Sequence, residues 1–138
     1  NSDLPAHELN LVQFVDDQHF VALYNDLGSW QQKCAYFTYV DPASIQDKAE
    51  LVLGGVYIGA DIKAKVIAFN RASDRYRIML KDYSAYNTGE DWMAGQTRLN
   101  NDIMIGQMPD IMILNDMTSY VNYVSKGVLA DIGHPAYR

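Results

Sequence analysis

Two different periodicities divide the chain. Over residues 9–40, three runs (9–15, 19–24 and 33–40) carry β-branched and aromatic residues in a strand-like pattern. Asp16, Asp17 and Gln18 make a short hairpin connection, and residues 25–29, with Gly28, make a longer one. The expectation is a three-stranded antiparallel β-meander. Three strands alone cannot bury both faces of a sheet, so residues 1–47 read as the end of a preceding β domain, like one blade of a β-propeller, plus a linker. An independent small sheet packed on the second half is the alternative. The linker spans 41–47, where Pro42 cannot continue a ladder and Asp and Ser favour turns.

From residue 48 the pattern becomes strand, helix, strand, helix, strand, helix. Residues 50–55 are a short apolar run closed by Gly54 and Gly55, suited to a buried parallel strand. Ile62, Val66, Ile67 and Phe69 recur at helical spacing, with Asp61 at the positive end of that helix. A second strand covers 76–81. Residues 87–91 open a second helix with Trp92, Leu99 and Ile103 as its apolar stripe, and Gly106 followed by Pro109 stops it. Residues 110–114 form the third strand. Asn115 and Asp116 then cap a helix whose buried face is Tyr120, Val121, Val124 and Val128.

Helices between successive strands imply right-handed crossovers and a parallel sheet. The predicted class is therefore α/β: residues 48–138 form an incomplete open parallel sheet, β-α-β-α-β-α, preceded by the meander. The strand at 50–55 is expected in the middle, flanked by the other two.

Composition supports a folded chain, with 49% hydrophobic and 20% charged residues. A net charge of −6 without any Lys or Arg run argues against recognition of nucleic acid through its phosphates. No apolar stretch reaches the ~20 residues of a membrane helix. Residues 1–5 lack a signal-peptide pattern, so the chain is either cytosolic or trimmed of a leader. The single cysteine, Cys34, rules out an internal disulfide and reads as a small packed thiol. Ten tyrosines suit half-wet strand faces or, alternatively, a stacking platform for a ligand.

In open parallel sheets, ligands bind beyond the carboxyl ends of the strands. That rule selects three loops: Gly54 to Tyr57, Asp82 to Ser84, and Asn115 to Met117. Gly54 and Gly55 permit either a close ligand approach or a tight strand exit. Asn115 and Asp116 can hydrogen-bond sugar hydroxyls or cap the third helix, and the two roles are compatible. Tyr57 and Tyr83 offer flat faces to a sugar ring or serve as ordinary rim residues.

No cofactor is implied, because neither a G-x-G-x-x-G pattern nor a phosphate loop is present. His7, His19 and His134 lack metal-ligand spacing. A nucleophile elbow, a zinc-protease motif and a Cys–His pair are all absent, so nothing argues for an enzyme.

A family likeness rests on residues 103–114, where Gly106, Pro109 and Asp110 stand between a helix and an apolar strand. This segment resembles the helix-Gly-x-x-Pro-Asp-Ile/Val signature of family 1 extracellular solute-binding proteins. Residues 127–132 resemble the end of the same segment in maltose-binding-type proteins, and residues 60–70 followed by 76–78 resemble the family's first helix and strand. Residues 82–84 and 86–88 look like the version found in Gram-positive gut bacteria. The resemblance implies a periplasmic-binding-protein-like lobe of a two-lobed, cell-surface, membrane-anchored protein that hands an oligosaccharide-like solute to an ABC permease.

It carries Tyr57, Asn115 and Asp116 over as ligand contacts, with Tyr83 added from the loop geometry. The second lobe and the returning strands are missing from the pattern, so the chain is expected to be a fragment. A sheet without its covering elements exposes apolar surface, which predicts a homo-oligomer. A sensing or structural ectodomain that uses the fold for protein interaction is the alternative function.

Overall fold

The computed structural model describes residues 6–26, 29–41 and 47–132, without the side chains of residues 6–8. Gly28, most of the expected linker, residues 1–5 and His134 lie outside the described residues.

Strands β1 (Ala6–Phe14), β2 (His19–Asp26) and β3 (Gln32–Thr38) form an antiparallel sheet in chain order. Their turn chemistry is local. The Asp16 carboxylate accepts the Gln18 amide at 2.8 Å and meets His19 Nδ1 at 2.8 Å, while the Val15 amide closes the hairpin on the His19 carbonyl. Cross-strand register places Phe14 opposite Phe20 and Phe20 opposite Phe37, and the second pair stacks with ring centroids 4.7 Å apart. Ala22, Tyr24 and Asp26 are the buried positions of β2, the period of two expected when one sheet face is covered.

The second sheet holds β4 (Ala49–Gly55), β5 (Tyr76–Asp82) and β6 (Ile111–Ile113), in the order β5-β4-β6. It is parallel, with Leu53, Gly54 and Gly55 opposite Ile111, Met112 and Ile113. Helices α1 (Ala60–Ala72), α2 (Ala94–Met104) and α3 (Met117–Ser125) alternate with the strands. A 3-10 turn at Tyr83–Tyr86, absent from the sequence reading, follows β5. By compactness the chain divides into Asn1–Leu51 with Ile58–Leu80, and Val52–Tyr57 with Lys81–Arg138. This division passes between Leu51 and Val52 in β4 and between Leu80 and Lys81 in β5.

The Gly-x-x-Pro-Asp segment has an architectural explanation. Gly106, at φ +74°, ends α2 in a Schellman arrangement: its amide donates to Ile103 and that of Gln107 to Asp102. Pro109 is buried against Gly54, where an added Cβ would lie 2.4 Å from the proline ring. The Asp110 carboxylate accepts the Val52 amide at 2.7 Å, extending the β4 hydrogen bonds past the end of the short β6. Gly127 ends α3 in the same way as Gly106 ends α2, with amide bonds from Gly127 to Val124 and from Val128 to Tyr123.

Buried faces of the helices differ from expectation. In α1 Val66 is buried as expected, but Phe69 is exposed and its neighbour Asn70 is buried. Helix α2 begins at Ala94 rather than at 87–91, leaving Trp92 outside it and exposed; Leu99 is buried as expected. In α3 Tyr120, Val121 and Val124 are exposed and Tyr123 is the buried residue. A rotation of one position suffices for this, because the α3 sequence is apolar on more than one face. Tyr123 wins the buried position because its hydroxyl donates to Asn100 Oδ1 at 2.6 Å and accepts from Gln96 at 3.0 Å.

Candidate ligand site

The carboxyl ends of β4 and β6 open onto a cavity of about 470 Å³, lined mostly by apolar atoms. All of it belongs to the second compact unit. Its walls come from Val56 and Tyr57 after β4, from Trp92, Met93 and Gln96 around the start of α2, and from Leu114 to Asp116 after β6. A smaller cavity of about 280 Å³ adjoins it, sharing Leu114, Asn115 and Asp116 and adding Met117 and Tyr120.

Tyr57 is the most constrained residue of the rim. Its φ is +64°, a region that side-chain-bearing residues enter only where their surroundings hold them there. Several bonds do so. The Tyr57 amide donates to Asp82 Oδ1 at 3.2 Å, its hydroxyl accepts from Asn87 Nδ2 at 2.8 Å, and the Asn115 amide donates to the carbonyls of Val56 and Tyr57. The ring itself remains 62% exposed. An aromatic face is thus fixed in place while staying open to a ligand.

Asn115 and Asp116 reach the same cavity by different means. Asn115 spends its donor on the β4 exit, which ties the two strand ends together. Asp116 caps α3: its Oδ1 accepts the Ser119 amide at 2.7 Å, and this bond foremost holds its carboxyl below the usual carboxylate range. The capping reading is therefore realised, and Asp116 is also one of the residues that line the cavity.

Tyr83 is placed elsewhere. It is fully buried, at 0% exposure, and its hydroxyl donates to Asp102 Oδ2 at 2.9 Å. Burial foremost pushes its phenol up. Asp102, 1% exposed, also receives Lys81 Nζ at 2.7 Å, with Arg98 Nε 3.1 Å from its other oxygen. The Lys81 bond leads in lowering the Asp102 carboxyl, and the same bond raises the lysine. Tyr83 and Asp102 thus pin α2 to the end of β5, behind the cavity rather than in it.

Sequence reasoning missed Trp92 and Gln96. Trp92 is 72% exposed at the cavity rim, and Gln96 is held by the Tyr123 hydroxyl and Asn100. The signal available was the Gly and Asp content of residues 89–91, which delays the helix and frees the tryptophan. Among the described residues no group of three or more His, Cys, Asp or Glu side chains could hold a metal ion, and no helix is long and apolar enough to cross a membrane.

No family model matches the chain, and no curated protein and no solved structure shows significant similarity to it.

Proposed function

We propose that this chain carries part of the binding lobe of an extracellular solute-binding protein, one that captures an oligosaccharide-like solute for an ABC importer. The observation that carries the reading is Tyr57, whose aromatic ring is exposed and whose backbone is held at φ +64°, on the rim of an apolar cavity at the carboxyl ends of parallel strands. Trp92 adds a second exposed aromatic group, and Gln96, Asn115, Asp116, Thr118 and Ser119 are the polar residues of a mostly apolar lining. Sugars need this mixture, because a pyranose ring has an apolar face and a hydroxyl-bearing edge. The partners on this reading are the solute and the permease, and the location is the outer cell surface.

Calorimetric titration with a panel of oligosaccharides tests it. A ligand should bind the wild-type chain, and Tyr57→Ala should weaken it about tenfold through loss of the stacking face. Asp116→Ala should weaken binding as well, with thermal unfolding followed in parallel because the Ser119 cap is lost. A bound oligosaccharide whose affinity neither substitution changes would show that the site is elsewhere.

A further inference from the structure

Helix α2 lacks a cap of the usual kind. Met93 stands at the N-cap position with helical backbone angles and provides no side-chain hydrogen bond. The amide of Gly95, the second helical residue, is instead satisfied from outside, by Asn87 Oδ1 at 2.7 Å. Only glycine allows this approach: a Cβ there would lie 2.8 Å from Asn87 Oδ1 and 2.3 Å from the Tyr83 carbonyl oxygen. The other end of the same amide, Nδ2, donates to the Tyr57 hydroxyl at 2.8 Å.

We propose that Asn87 is a positioning residue that sets the aperture of the ligand cavity, one planar amide joining the Tyr57 wall to the α2 wall. This rests on the solute-binding reading for its function, though not for its geometry. Asn87 is half-buried and lines neither cavity, so it acts through Tyr57 and α2 rather than on the solute. Tyr57 makes the clamp consequential. A residue at φ +64° keeps that conformation only while its ties hold, and the hydroxyl tie is the one that orients the ring. On the opposite wall, the first turn of α2 carries Gln96, and the bond to Gly95 fixes where that turn begins. A cavity whose walls are joined before the solute arrives is spared the ordering cost on binding.

Three variants of the full 138-residue chain test the clamp. Asn87→Ala removes both bonds. Asn87→Asp keeps an acceptor for the Gly95 amide, and its second oxygen accepts from the Tyr57 hydroxyl, which turns from acceptor to donor. Tyr57→Phe cuts the tie at the tyrosine alone and leaves the start of α2 intact, so it decides the matter even if Asn87→Ala fails to fold.

The first readout needs no ligand: amide hydrogen exchange by NMR at Tyr57 and Gly95. Exchange should quicken at both amides in Asn87→Ala, at Tyr57 alone in Tyr57→Phe, and at neither in Asn87→Asp. The second readout is calorimetric affinity for maltotriose. Asn87→Ala should weaken it about tenfold, the scale of one or two lost hydrogen bonds, and Asn87→Asp should restore it. In the Tyr57→Phe background Asn87→Asp should change nothing further.

Unchanged Tyr57 exchange in both Asn87→Ala and Tyr57→Phe overturns the clamp, as does an Asn87→Asp variant that behaves like Asn87→Ala. Wild-type protein that binds neither maltotriose nor the wider panel removes the carbohydrate reading, and the exchange data then decide the clamp by themselves.

Discussion

Asn70 offers the sharpest test of how the parallel sheet is protected. It is 5% exposed, in the last turn of α1, and its side-chain amide makes two bonds to one residue of β5. Nδ2 donates to the Ile78 carbonyl at 2.9 Å, and Oδ1 accepts the Ile78 amide at 2.7 Å. Because β5 is an edge strand in the order β5-β4-β6, the asparagine does what a further strand would do at that position. Asn70→Ala removes both bonds, at about 1 kcal/mol each net. Alanine returns up to about 0.5 kcal/mol of helix propensity, so a loss of roughly 1.5–3 kcal/mol is expected.

Asn70→Asp separates geometry from mere volume. An ionised carboxylate accepts the Ile78 amide but repels the Ile78 carbonyl, so at neutral pH this variant should be less stable than Asn70→Ala. Once protonated, the introduced carboxyl donates and accepts much as the amide does, so its folded-state pKa is raised above the ordinary value of about 3.9. Its stabilising contribution is then fully present below the unfolded pKa and is lost as pH rises through the folded one. Urea denaturation of both variants from pH 4 to pH 8 measures this. A gap between them that does not change with pH, or an Asn70→Ala loss under about 0.5 kcal/mol, would refute the reasoning.

Gly54→Ala should destabilise by about 1–3 kcal/mol through overpacking against the Pro109 ring, 2.4 Å from the new Cβ, and an unchanged melting temperature would show that the proline can move. The Asp26 carboxyl is lowered to about 2, foremost by the Ser29 amide and then by Lys33 and the Ser29 hydroxyl. Its contribution to stability is therefore present above the unfolded carboxylate range and lost as pH falls toward 2, and Asp26→Asn should flatten that part of an acid denaturation curve. The exposed Met117, Tyr120, Val121 and Val124 leave an apolar stripe on α3, so light scattering should show association that rises with protein concentration. A monodisperse monomer at high concentration would count against that.

What the sequence by itself determined was the order and type of the strands and α-helices. Period-two runs marked β1 to β3, apolar runs marked β4 and β6, and Gly106 and Asp116 marked a helix end and a helix start. Each of these signals acts within a few residues of its cause: a dihedral preference, a cap, a turn. The central place of β4 also followed, since two crossovers of one hand leave few arrangements.

Only the tertiary structure decided which side chain does what. The sequence treats Tyr57 and Tyr83 alike, yet one is an exposed ring held by Asn87, 30 residues away, and the other is buried on Asp102, 19 residues away. Phe69 gave way to Asn70 on the buried face of α1, and Tyr120 to Tyr123 on that of α3. In both cases a polar atom found a partner inside: the Ile78 backbone for Asn70, and Asn100 for Tyr123. Hydrophobic periodicity ranks positions by apolar character and so passes over an amide or hydroxyl whose burial depends on a bond that exists only after the chain has closed on itself.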